Sequence, residues 1–176
     1  FNVAGPIFVA PGNWEDKIFS VSRDGTLFAI RADDGECIWH FTTSGKIYAP
    51  PYVSDGIIYL SSSDNNIYTL FAHSGRLIWS FTTGGEVHTS PFEKHGIVYV
   101  GSKDKHLYAL STKDGEEIWR YKLFGYPSSA TATRGMVYFS AQGRVYGFSI
   151  EDYKMRWFFP VGFSIATSPV VGYKRI

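Results

Sequence analysis

Apolar positions in this chain fall in short runs separated by turn signals, and no stretch keeps the 3.6-residue period of a helix. Residues 45–84 show the pattern well, with the runs KIYAPPYVS, GIIYLSSS, NIYTLFA and RLIWSFTT. Within them Ile58 and Leu60 alternate with Tyr59 and Ser61, the period of two expected of β-strands. SRDGT, SSDNN and SKDKH separate second from third runs and place Asp24, Asp64 and Asp104 in tight hairpin turns, where the following Gly or Asn tolerates positive φ. Gly35, Gly75 and Gly115 mark the turn into the fourth run.

The pattern is one unit written four times. Trp39, Trp79, Trp119 and Trp157 stand 40, 40 and 38 residues apart. An aromatic precedes each (Phe19, Tyr59, Tyr99, Tyr138), and so does a second (Phe28, Tyr68, Tyr108, Tyr146). Pro11, Pro51 and Pro91 each lie 28 residues before a Trp, whereas Ser129 holds that place before Trp157. About 40 residues and four antiparallel strands per unit predict an all-β fold, a β-propeller of four-stranded blades. The blades span about 5–44, 45–84, 85–124 and 125–161, each opening on its first strand, the earliest around GPIFVAP. The fourth is degenerate, with Tyr153 at the turn-glycine position and a hairpin, AQGR, one residue short. FSIATSPVV, about 163–171, reads as the first strand of a fifth blade, so the segment looks cut inside a blade. The outer faces of the end blades are expected to pack on missing blades of the same chain or on a second copy.

Composition narrows the function classes. The 17 basic and 16 acidic residues are dispersed and leave a formal charge of +1, which argues against a nucleic-acid surface. No run approaches the roughly 20 apolar residues of a membrane span. The single cysteine, Cys37, excludes an internal disulfide and a Cys-rich metal site. Aromatics at 18% with 18 glycines suit short strands joined by tight turns. The chain opens at Phe1 without a visible signal peptide, as a processed or excised piece would.

The unit resembles the PQQ-like (quinoprotein-type) β-propeller repeat. TSPFEKHGIVYVGSKDKHLYALSTKDGEEIW in the third unit carries the likeness most fully, and ATSPVV repeats its start. The resemblance implies a ring of seven or eight blades, of which about four are present. It also implies that Trp39, Trp79, Trp119 and Trp157 dock adjacent blades, where a flat side chain buries ~150–250 Å². The docking motif of the quinoprotein dehydrogenases, Ala-x-Asp-x-x-Thr-Gly-x-x-x-Trp, is only partly kept. Ala29, Gly35 and Trp39 match, as do Ala109, Gly115 and Trp119, but the Asp position holds Arg31, Phe71, Ser111 and Ser149. The chain is therefore closer to non-catalytic, BamB-like propellers than to the dehydrogenases.

Two functions follow from the resemblance. One is a non-enzymatic propeller that serves as a protein-interaction scaffold or ligand-sensing domain, binding a partner through blade-edge loops. The alternative is a fragment of a PQQ- and Ca-dependent alcohol or sugar dehydrogenase. That chemistry needs oxygen ligands converging on one point, yet Asp24, Asp64 and Asp104 sit on successive blades and diverge. PQQ and Ca are thus expected only with the missing blades, and no catalytic or metal residue is assigned. Family resemblance favours an extracytoplasmic location, periplasmic or cell-surface. Nine residues after the first three Trp come Tyr48, His88 and Ser128, expected on the innermost strands as channel-lining candidates. His88 could titrate near neutral pH or join a ligand site, with a channel-lining polar residue bonded to water as the plainer reading. Trp14, off the repeat pattern in the loop joining the first two strands, is a possible partner anchor, with packing under its own loop as the plainer reading.

Overall fold

The computed structural model describes residues 6, 9–133, 135–162 and 168–169. These form sixteen strands in four sheets and no helix. The first sheet holds β1 (Gly12–Trp14), β2 (Lys17–Val21), β3 (Thr26–Arg31) and β4 (Cys37–Thr42). The second holds β5 (Tyr52–Ser54), β6 (Ile57–Ser61), β7 (Asn66–Phe71) and β8 (Leu77–Thr82). The third holds β9 (Phe92–Lys94), β10 (Ile97–Gly101), β11 (His106–Ser111) and β12 (Glu117–Lys122). The fourth holds β13 (Thr131–Thr133), β14 (Met136–Ala141), β15 (Arg144–Ser149) and β16 (Met155–Pro160). Each sheet is an antiparallel meander in chain order. The strands β1, β5 and β9 touch one another in turn, while β4, β8, β12 and β16 are the outer edges.

The first strands are shorter than the apolar runs that announce them. Of KIYAPPYVS, only Tyr52–Ser54 pairs with β6. Pro50 and Pro51 have no N–H to give to a ladder, so pairing starts behind them. The opening strand expected around GPIFVAP likewise appears at Gly12–Trp14, after Pro11. The strand expected at 163–171 falls outside the described residues except for Ser168 and Pro169, which are not in a strand.

The core lies between sheets. All five residues of β10 are buried, and so are four of the five in β6, because these strands have a sheet on each side. Alternation sorts their side chains by neighbour. Ile58 and Leu60 join Phe19, Val21 and Leu27 of the first sheet, whereas Tyr59 joins Val98, Val100 and Tyr108 of the third. Burying each such side chain is worth about 1.5–3 kcal/mol, so adjacent sheets hold one another folded. A β-bulge recurs in every third-to-fourth strand pair, next to Ala29, Thr69, Ala109 and Gly147, each of which faces a repeat Trp.

The fourth sheet slips by one residue in two places. Phe92 faces Tyr99 and Thr131 faces Tyr138, so Ala130 occupies the place of Pro91. Counting back from Trp157 gives Ser129 because the Gln142–Gly143 hairpin is a residue short. The second missing residue lies in the connection after Trp119, and together they make the interval of 38.

Candidate functional site

The recurrent aspartates join blades. Asp64 Oδ1 accepts from the Asn66 amide at 3.0 Å, while Oδ2 accepts from the Ser44 amide at 2.9 Å and the Tyr68 hydroxyl at 2.8 Å. Asp104 repeats this with the amides of His106 and Gly84 at 2.9 and 3.0 Å and with the Tyr108 hydroxyl. Ser44 and Gly84 belong to connections arriving from the preceding sheet, so each carboxylate pins its neighbour's chain. Burial works against the charge of Asp104, but its Tyr108, His106 and Ser102 hydrogen bonds outweigh that and hold its carboxyl below the usual range. Burial, reinforced by the Asp64 hydrogen bond, pushes the Tyr68 hydroxyl up to about 12.

The tryptophans form the second inter-blade joint. A Cβ added to Gly75 would stand 2.6 Å from Trp39 Cε3, and one on Gly115 2.6 Å from Trp79 Cδ2. Each indole therefore lies on the turn glycine of the next blade, and Trp79 Nε1 donates to the Thr112 carbonyl at 2.9 Å. In the fourth sheet Tyr153 holds the left-handed turn at φ 59°. Trp119 lies against this Tyr153 ring, centroids 6.3 Å apart, and stacks on Phe148, centroids 5.5 Å apart and planes at 12°. Trp157 is 43% exposed, with Phe159 and Val161 at 63% and 39%. These three stand where Trp39, Phe41 and Thr43 meet the second sheet. At the other end nothing lies within 4 Å of a Cβ built on Gly35.

The channel-lining candidates lie in the connections that lead into the first strands, not on those strands. Tyr48 and His88 come together, ring centroids 4.1 Å apart. The Arg23 guanidinium covers the Tyr48 ring at 5.5 Å. His88 Nε2 is 3.1 Å from Glu86 Oε2, which also holds the Lys103 ammonium at 2.7 Å. Burial, followed by the charge of Lys103, lowers the His88 pKa below the usual imidazole value. A cavity of about 130 Å³ lies beside Arg23 and Tyr48, walled by Val9, Val21 and Ile47. Another of about 90 Å³ lies between His88, Lys103 and Tyr126. Ser128 does not join this ledge. It takes the place of Thr89: Thr89 Oγ1 accepts from the Gly101 amide at 2.9 Å, and Ser128 Oγ accepts from the Ser140 amide at 2.9 Å. The one-residue slip after Trp119 puts Pro127 where His88 would stand.

The family model described as outer membrane protein assembly factor BamB matches residues 4–89 and 71–168. The chain belongs to this BamB family. Among solved structures, BamB from Moraxella catarrhalis superimposes with a TM-score of 0.78 at 20% identity, over 90% of this chain and 54% of that one. The computationally designed Ika8 protein gives 0.79 at 20% identity, over 89% and 50%. The designed Ika4 protein gives 0.73 at 13% identity, over 92% and 94%. The chain thus spans about half the length of the BamB and Ika8 structures. No curated protein matches it in sequence.

Within this BamB-type propeller, the recurrent aspartates serve the joints between blades. The carboxylates of Asp64 and Asp104 are engaged on separate blades, and no three His, Cys, Asp or Glu side chains gather among the described residues. None of the described helices could cross a membrane, since there are none. Trp14 is the last residue of β1, paired with Lys17, and not part of a loop. Its half-buried ring packs toward the second blade, 3.1 Å from a Cβ built on Gly56. That geometry fits a packing role. The positions that sequence reasoning passed over are Phe124, Arg144 and Phe158. The Arg144 guanidinium sits 4.6 Å from the Phe124 centroid and 5.3 Å from that of Phe158. Their signal is that Phe124 and Phe158 replace the polar or small residues of the other repeats, and Arg144 replaces Thr26, Asn66 and His106.

Proposed function

We propose that the chain is the blade-bearing part of a non-catalytic, extracytoplasmic propeller that binds protein partners through the loops at one end of its blades. The observation that carries this reading is the division of labour among its polar groups. Asp64 and Asp104 accept the Ser44 and Gly84 amides arriving from the preceding blade, and the Ser62 hydroxyl donates to Thr43 across the first of these joints, so these polar groups are engaged in holding blades together. The side chains that vary from blade to blade, Arg23, Tyr48, His88, Lys103 and Tyr126, form an adjoining cationic and aromatic ledge. Such a ledge, on loops that a rigid scaffold positions, suits recognition more than bond-making chemistry. Family membership supports the same reading, since the family's description is that of an assembly factor.

The test is a photo-crosslinking amino acid placed at Tyr48 or Tyr126 in the full-length protein in its own cells. Discrete protein adducts at either position are the expected result. Dye-linked alcohol oxidation by the purified full-length protein on adding PQQ and Ca²⁺ would overturn it.

A further inference from the structure

The connection between the third and fourth blades breaks the repeat, and it does so together with two strand positions that it touches. Phe124 stands five residues after Trp119, where Ser44 and Gly84 follow their own Trp. Phe158 follows Trp157 where His40, Ser80 and Arg120 follow theirs. Arg144 opens β15 as Thr26, Asn66 and His106 open the equivalent strands. In the first three blades that residue's amide is held by the turn aspartate. The fourth blade has the Gln142–Gly143 hairpin instead. Without the carboxylate that receives the Ser44 and Gly84 amides, the incoming connection is rebuilt.

The three replacements meet in space. The Arg144 guanidinium lies between the rings of Phe124 and Phe158, 4.6 and 5.3 Å from their centroids. Phe124 is 73% exposed and Phe158 49% exposed, so the two rings hold the cation at the surface. Two lysines lie near this connection in the backbone: the Lys105 carbonyl accepts the Leu123 amide at 2.8 Å, and Lys122, two residues before Phe124, pairs across from His106. Among the described residues, no carboxylate pairs with Lys105, Lys122 or Arg144, although eight other ion pairs form. Stacking leaves the edge of a guanidinium free for bidentate bonds to a carboxylate. Exposed aromatic faces beside it gain from covering by an apolar side chain.

We infer that Phe124, Arg144 and Phe158 form a docking site for an acidic segment of a protein partner that carries an aromatic or large apolar side chain beside its carboxylate. A carboxylate of that segment pairs with Arg144, Lys105 and Lys122 provide a second point of attraction, and an apolar side chain rests on Phe124 and Phe158. The patch is too small and too aromatic for a nucleic-acid track, which needs an extended basic stripe. This site rests on the interaction-scaffold reading and names the chemistry of one partner.

The test is selection of random twelve-residue peptides on phage against the full-length protein. Binders to the triple variant Phe124→Ser, Arg144→Asn, Phe158→Ser are subtracted; it restores residues that other blades carry. The expected result is enrichment of sequences with Asp or Glu beside an aromatic or large apolar residue. A synthetic winner, read by fluorescence anisotropy, should bind at least tenfold more weakly to the Arg144→Asn protein and lose affinity as salt rises. No enrichment over the triple variant, winners without acidic residues, or equal affinity for Arg144→Asn would each overturn the site. So would Arg144-dependent binding to phosphatidylglycerol vesicles with no peptide selected. Should the triple variant unfold, Arg144→Asn alone serves for subtraction. Crosslinking from Tyr48 reads the scaffold function separately, so a failure here leaves that result standing.

Discussion

The indole of Trp79 lies on Gly115 of the following blade, so close that a Cβ there would stand 2.6 Å from Cδ2 and Cε3. Gly35 holds the same turn in the first blade with φ +74° against +76°, yet nothing lies within 4 Å of its missing Cβ. The two glycines share a backbone conformation and differ in having an indole above them.

Replacing each by alanine separates the two effects. Gly35→Ala should lose roughly 1–2 kcal/mol, the cost of a left-handed residue with a side chain. Gly115→Ala should lose roughly 1–3 kcal/mol more, because the indole must move. Urea denaturation of both variants checks this, and equal losses would show that the indole yields freely.

The tryptophans themselves should rank by what covers them. Trp79 is 8% exposed and Trp157 43%. In the 176-residue chain, Trp79→Ala is expected to cost about 3–5 kcal/mol. Trp157→Ala should cost well under that, about 1 kcal/mol or less. A large loss at Trp157 would mean that its face is covered in solution.

The aspartate clamp sets an acid limit. Asp104 has a lowered pKa in the folded chain, so its contribution is present above the unfolded value of 3.8 and is lost as pH falls through the folded value. Asp104→Asn, which leaves Tyr108 and the Gly84 amide poorly satisfied, should cost about 1–3 kcal/mol at pH 7. The variant's stability should depend less on pH below 4 than that of the parent chain. Thermal melts from pH 2 to 7 decide it.

Tyr68 sets an alkaline limit by the opposite sign. Its hydroxyl is pushed from 10 up to about 12, so the neutral phenol stabilises the fold below pH 10, and that contribution fades between 10 and 12. Tyr68→Phe should remove this part of the alkaline loss in melts over the same interval. An unchanged profile would place the sensitivity elsewhere.

His88 should be neutral at pH 7. Burial and Lys103 depress its imidazole, so its NMR titration midpoint should fall below 6.5. Lys103→Gln removes one depressing charge and should move the midpoint upward. A wild-type midpoint at or above 6.5 would contradict the buried, Lys103-facing position.

Much of the fold was legible because the repeat is written in covalent order. Trp39, Trp79 and Trp119 mark the same strand position, and Asp24, Asp64 and Asp104 the same turn, so their roles can be read by counting. Counting failed where two single-residue losses accumulate. It assigned Ser128 to the place of His88, although the hydrogen bond to Ser140 shows that Ser128 corresponds to Thr89. Trp14 was misplaced for a related reason: a three-residue strand after Pro11 leaves too little alternation to announce itself. The Tyr48–His88 ledge was half legible, since equal spacing after Trp named both residues but could not show their rings meeting. The cluster of Phe124, Arg144 and Phe158 was visible only as three isolated departures.

The sequence by itself determined the unit, its four strands and the side chains that recur, because local alternation and turn chemistry act within a few residues. Recurrence in phase marked Gly75 as the turn into the fourth strand, and the resemblance to the PQQ-like repeat implied that Trp39 docks blades. Only the tertiary structure decided which partner each joint meets. Trp39 rests on Gly75, Trp119 meets both Tyr153 and Phe148, and Trp157 stays open. Those outcomes depend on how neighbouring blades stack, and the distances involved join residues tens of positions apart. The meeting of Arg144 with Phe124 and Phe158 belongs to the same class, because a connection, a hairpin and an outer strand converge only when the blade is folded.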